Sequence, residues 1–195
     1  MDSLRLTITA VALFSAVALV DAQDKGGKKK GGGPPPMINV KVADFADGGR
    51  IPAKFTCAAG PMSPSPAITW SGAPSGTESF VVILHDPDPV IGGSVNDVLH
   101  WAIFDIPGKS TGLPEGVKNG DQPDGAKQIN NIAGRDGYLG PCPPPGHGDH
   151  HYTLEVYALS AKLGLPASTS RADLLNAMNG KVLSKGVYIG IFGQK

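Results

Sequence analysis

The chain has 195 residues, seventeen of them basic and seventeen acidic, so its formal charge is zero. That balance lacks the electrostatic footprint of a nucleic-acid binder, and the length suits one domain with a real core, hardly two. With 27 Gly, 18 Pro and 6% aromatic residues, the composition fits a loop-rich β protein better than a helical bundle.

Taken in order, Arg5 precedes an apolar run from Leu6 to Val20, and Val20-Asp21-Ala22 supplies small residues where a signal peptidase cuts. The run falls short of the roughly 20 residues that span a bilayer, so residues 1–22 read as a secretory signal. Residues 23–36 are rich in Lys, Gly and Pro and offer almost nothing to bury. A disordered cationic tether is expected there, able to touch an anionic membrane surface but most simply a solubilising spacer. The folded domain is expected over residues 37–195, with twelve basic and fourteen acidic residues. Export would place Cys57 and Cys142 in an oxidising compartment, which favours a disulfide over two separate thiols. Closing a loop of roughly 85 residues would stabilise the fold by about 4 kcal/mol.

Strands are expected at Met37–Val42, Ala67–Ser71, Ser79–His85, Leu99–Ile106, Tyr152–Leu159 and Val187–Phe192. Short β-branched runs between turn-rich separators predict an antiparallel β-sandwich. One helix is predicted, capped by Ser170, with Asp173 in its first turn, Leu174, Leu175 and Met178 inward, and Gly180 as its stop. The stretch from Pro107 to His151, dense in Gly, Pro, Asn and Asp, is long enough to expect function in it.

Three segments could carry chemistry. His85-Asp86-Pro87-Asp88-Pro89 brings two carboxylates out of a strand on a proline-stiffened backbone, although an Asx turn would look the same. His100 opens the next long strand and shares a sheet edge with Asp86 if the two strands pair. The loop Gly140-Pro-Cys-Pro-Pro-Pro-Gly146 leads to His147, His150, His151 and Tyr152 at the mouth of a further strand. The histidine spacing suggests a metal, but there is no H-E-x-x-H, and His150 and His151 would face opposite sides of a strand. No metal or cofactor is assigned. Nothing specifies a Ser–His–Asp triad, a P-loop or a dinucleotide fingerprint.

Taken together, Asp86-Pro-Asp-Pro89, His100, the loop from Gly140 to Gly146 and His150-His-Tyr152 resemble the phosphatidylethanolamine-binding proteins, in particular their bacterial Raf-kinase-inhibitor-like branch. Ile51-Pro-Ala-Lys-Phe-Thr-Cys57 and Ser65-Pro-Ala-Ile-Thr-Trp70 extend the resemblance, which runs from about Ile38 to Gly193. It implies a large sheet packed on a smaller one, with a shallow anion pocket at one end. Ligand-binding residues would be Asp86, Asp88, His100, Pro143, Pro144, His150 and Tyr152. His151 stands where the family usually has an arginine, and the second proline of the aspartate motif is one position early.

The expected function is that of an exported, non-enzymatic binding protein for a small anion or phospholipid head group, with room for a protein partner as well. Imidazole N–H groups and the Tyr152 hydroxyl suit an anion, while Asp86 would orient an imidazole or accept from a ligand's ammonium group. An extracytoplasmic protease inhibitor is one rival reading. A hydrolase using a metal or a His/Asp pair is the other, although no nucleophile is fixed.

Overall fold

The computed structural model describes residues 37–93 and 95–195. The predicted signal and tether fall on residues outside these.

The elements run β1 (Asn39–Val42), β2 (Gly49–Arg50), β3 (Ile68–Ser71), β4 (Ser79–Asp86), β5 (Val98–Pro107), β6 (Gly112–Leu113), β7 (Lys127–Gln128), β8 (His150–Leu159), α1 (Arg171–Met178) and β9 (Val182–Phe192). They form a three-stranded sheet, β1-β3-β6, and a six-stranded sheet, β2-β9-β8-β4-β5-β7. The expected two-sheet β architecture is therefore present, with one refinement. Among the described residues all strand pairs are antiparallel except β2 with β9, which run parallel for two residues and make the large sheet mixed. The short β2 segment achieves this by lying alongside the last strand, and Ile51 N donates to Ile191 O at 2.9 Å.

Burial explains the patterns seen in the sequence. In β1 and β3 buried and exposed residues alternate, so this sheet covers the core with one face only. β4 is an almost unbroken apolar run because both of its faces are covered. Phe80, Val82 and Leu84 join Val40, Trp70 and Trp101 in the core between the sheets. Val81 and Ile83 instead join Ala102, Phe104 and Leu159 beneath Leu174 and Met178 of α1. Ser170 caps α1, its hydroxyl accepting from Asp173 N at 3.1 Å. Leu174 and Met178 are buried at i and i+4, but Leu175 remains 38% exposed, contrary to its predicted inward position. One residue along a helix rotates the side chain by about 100°, and the inward stripe here is only one side chain wide.

The pairing of β4 with β5 slips twice. Near the chain-wise end of β5, Asp105 has a positive φ of 57°, and its carboxylate accepts from Leu163 N at 2.6 Å and Gly164 N at 2.9 Å. At the other end Leu84 pairs with Trp101 while His85 pairs with Leu99, which leaves His100 as an extra residue. A β-bulge of this kind re-aims a side chain. It lets His100 and Trp101 both serve the inner face, where strict alternation would allow only one of them.

Candidate functional site

The bulge, the end of β4 and the start of β8 meet at one edge of the large sheet. Asp86, the last residue of β4, is almost fully buried. Its Oδ1 accepts from Asp88 N at 3.0 Å, so the Asx turn does form, and it frees the other oxygen for the pocket. Oδ2 lies 2.7 Å from Nδ1 of His150, which is likewise buried. A proton on His150 Nδ1 donates to the carboxylate and leaves Nε2 to accept from His147 Nδ1, 2.8 Å away. Asp86, His150 and His147 thus form a continuous hydrogen-bonded row from the interior to the surface.

His100 is oriented from the opposite side. Its Nδ1 is 2.9 Å from Leu139 O, and Leu139 N donates to His100 O at 3.0 Å. The carbonyl requires a proton on Nδ1, so the neutral ring keeps its lone pair on Nε2. Burial pushes the His100 imidazole below its usual range, against the opposing pull of Leu139 O and the Asp86 charge. The His100 ring meets Tyr152 edge-on, with centroids 5.1 Å apart, and Tyr152 stacks near His150 at 6.4 Å. The Tyr152 hydroxyl is buried and finds no hydrogen-bond partner among the described residues. Burial first, and then the nearby Asp86 carboxylate, push its pKa far above the ordinary phenol value.

His151 points the other way and is exposed, as strand alternation requires. Its backbone N–H donates to Asp88 Oδ2, and its ring Nδ1 stands 3.1 Å from the same oxygen. Partial burial raises the Asp88 carboxyl, but these hydrogen bonds and the imidazole charges outweigh it and hold the pKa below the usual aspartate range. The residue at the family's arginine position therefore anchors the second aspartate.

The remaining wall is the Pro/Gly loop, pinned at several points. Cys57 and Cys142 form the predicted disulfide, with a Cα–Cα distance of 5.3 Å. Cys57 N donates to Pro141 O at 3.0 Å, and Tyr138 Oη donates to Phe55 O at 2.7 Å. Gly140 passes so close to residues 55–63 that an added Cβ would lie 2.3 Å from Ser63 Oγ and 2.8 Å from Phe55 O. Gln194 Nε2 donates to Pro143 O at 2.6 Å. Pro143 and Pro144 consequently line a cleft of about 610 Å³ together with Asp86, His100, His150 and Tyr152.

All seven sequence-derived binding residues border this cleft. His147, named in the histidine cluster but not among the binding residues, also lines the cleft, and two contributors are absent from the sequence reading: the Leu139 carbonyl and the apolar rim of Val90, Ile91 and Ile132. The spacing of His147 from His150 was visible, whereas the other two depend on chain pairing. Two carboxylates line the cleft without any Lys or Arg among its described residues. Ligand atoms of Asp86, Asp88 and His150 all lie within 4.8 Å of one another. No described residue of the lining offers a serine, a threonine or a free thiol as nucleophile.

These features define a two-sheet β protein with a carboxylate–imidazole cleft at one sheet edge. Residues 41–193 match the family model described as phosphatidylethanolamine-binding protein, and the chain belongs to this family. The UPF0098 protein of Aquifex aeolicus is 44% identical over 149 residues, or 76% of this chain and 84% of the relative. LppC of Mycobacterium tuberculosis, named as a candidate lipoprotein, is 34% identical over 149 residues, or 76% of this chain and 68% of its own. Among solved structures, Escherichia coli YbcL has a TM-score of 0.72 at 29% identity, covering 82% of this chain and all of that one.

Proposed function

We propose that this is an exported, non-enzymatic binding protein whose cleft takes phosphate or the head group of a phospholipid-like ligand. The observation that carries this reading is the Tyr152 hydroxyl, a buried donor on the wall of an open cleft with no hydrogen-bond partner among the described residues. Buried polar groups rarely stay unsatisfied, and a ligand oxygen would satisfy this one. Family membership and the bordering imidazoles support the same reading.

Charge decides when the cleft can hold an anion. In the neutral arrangement the N–H groups of His100 and His150 are already spent on Leu139 O and Asp86. Protonation of His100 adds an Nε2–H donor and cancels part of the carboxylate charge. A ligand carrying an ammonium group beside its phosphate would also engage the two aspartates. Phosphate binding measured by calorimetry is therefore expected to tighten as the pH falls through and below the ordinary histidine range, because burial holds the His100 imidazole under that range. Equal affinity across that span would overturn the assignment of these histidines.

Export is supported by the apolar run ahead of Ala22, by the disulfide and by the name of the M. tuberculosis relative. The tether of residues 23–36 would then link the domain to the envelope or keep it soluble. A role on a partner protein, including protease inhibition, would depend on an exposed loop. Alanine at His100 and His150 should abolish phosphate binding and leave such an activity intact.

A further inference from the structure

We infer that Asp86, Asp88 and His150 form a site for a first-row divalent cation, which makes the cleft receptive to anions at neutral pH. The inference rests on the anion-pocket reading above and answers the difficulty it leaves. Two carboxylates converge on a cleft that has no Lys or Arg among its described lining residues, so without a cation its field repels the proposed ligand. Protonation removes that obstacle only in acid. A divalent ion would remove it at any pH at which the imidazole is neutral.

Three independent features fit such an ion. The ligand atoms lie within 4.8 Å of one another, close to the span of about 4 Å set by metal–ligand bonds of about 2.1 Å. A ligating histidine needs a partner on its second ring nitrogen, and His147 Nδ1 already stands 2.8 Å from His150 Nε2. On ion binding, His150 Nδ1 becomes the ligand and the ring carries its proton on Nε2, donating to His147 Nδ1. His147 then holds its own proton on Nε2, so both rings stay neutral and no net proton is released. The Tyr152 hydroxyl, buried on the same wall and without a hydrogen-bond partner among the described residues, is placed to donate to an oxygen of an anion bound to the ion.

One imidazole with two carboxylates selects zinc or manganese over calcium or magnesium, which prefer all-oxygen shells. Asp88 is the adaptable member, since it is exposed and must turn one oxygen from His151 toward the ion. Asp86 and His150 are held in place by burial.

The test uses protein purified without a histidine tag and dialysed against chelator, titrated with zinc chloride at neutral pH. One zinc ion per chain is expected, with calcium binding at least about 100-fold weaker. Asp88→Asn and His147→Ala should each weaken zinc binding by about 10- to 100-fold, as loss of a ligand or its supporting partner does. His151→Ala should leave the stoichiometry unchanged. Because Asp86→Asn could fail to fold, manganese titration of the unmodified protein followed by NMR supplies a second reading. Selective broadening of residues 86–88 and 150 supports the site, and broadening centred on His151 or Asp149 overturns it. A final arm adds phosphate at pH 7.5 with and without zinc. Absence of zinc binding with phosphate still bound in acid overturns the cation site and spares the anion pocket. Zinc bound at these residues without any phosphate binding supports the cation site and defeats the anion pocket.

Discussion

Strands β4 and β8 feed two histidine–carboxylate clusters, one on each face of the large sheet, and the two are completed differently. On the outer face His85 stands beside Asp97 and, at 3.6 Å, Glu155. Cations close that cluster. Arg171 forks onto both oxygens of Asp97, Lys185 reaches Glu155 at 2.7 Å, and Tyr157 Oη donates to Glu155 at 2.8 Å. On the inner face, among the described residues, Asp86 and Asp88 bond only to histidines and backbone, and Tyr152 Oη has no hydrogen-bond partner. Similar side chains, one residue apart along β4, thus build a cation-braced cluster, in which His85 Nδ1, His85 Nε2 and Arg171 Nε still lack hydrogen-bond partners among the described residues, and a cleft without a fixed cation. What separates them is the presence of a fixed cation, which is also what the cleft would gain from a ligand.

The strongest test of this contrast concerns how each region is held. The cleft wall depends on a covalent cross-link spanning 85 residues, so Cys142→Ser should destabilise the protein by about 4 kcal/mol in urea unfolding and weaken phosphate binding with it. A change confined to stability would mean that the loop keeps its shape unaided. Arg171→Ala should cost less, about 1 kcal/mol at neutral pH, because the pair with Asp97 is partly exposed. Burial raises the Asp97 carboxyl, but the hydrogen bonds and charge of Arg171, aided by His85, hold it below the ordinary range. A depressed carboxyl pKa contributes stability above the unfolded value and loses it as the pH falls through the folded one. The gap between this variant and the parent should therefore close below about pH 4. A gap that persists in strong acid would mean that Arg171 acts by packing. Smallest of all should be the stability effect of Tyr152→Phe, within about 0.5 kcal/mol, since it deletes a buried hydroxyl that has no partner. Tyr157→Phe removes a bond to Glu155 and should cost more. Equal losses in thermal unfolding would show that the two faces are alike.

Much of this was legible along the chain. Alternation and β-branched runs mark β1, β3, β4, β5 and β8, and Ser170 with Asp173 marks the helix start, because those signals are local. The residues of the cleft could be named because proline, glycine and histidine crowd into two short motifs. Other features arise only from pairing. The two-residue strands carry no periodicity to read, and the parallel contact of β2 with β9 joins segments some 140 positions apart. Nothing in Leu175 distinguishes an inward from an outward leucine until the helix docks. Likewise, the proton pattern along Asp86, His150 and His147 follows from which nitrogen meets which oxygen, and residue spacing does not contain that.

The bulge in β5 has a wider consequence. Excising His100 would leave Leu84 with Trp101, His85 with Leu99 and Asp86 with Val98 as an unbroken ladder. The β4–β5 ladder is complete without this imidazole, which rides on the strand as a single inserted residue bonded to Leu139 through both its carbonyl and its ring. One codon is thus enough to add or withdraw a recognition group, together with its hold on the Leu139 loop, while the β4–β5 pairing keeps its register.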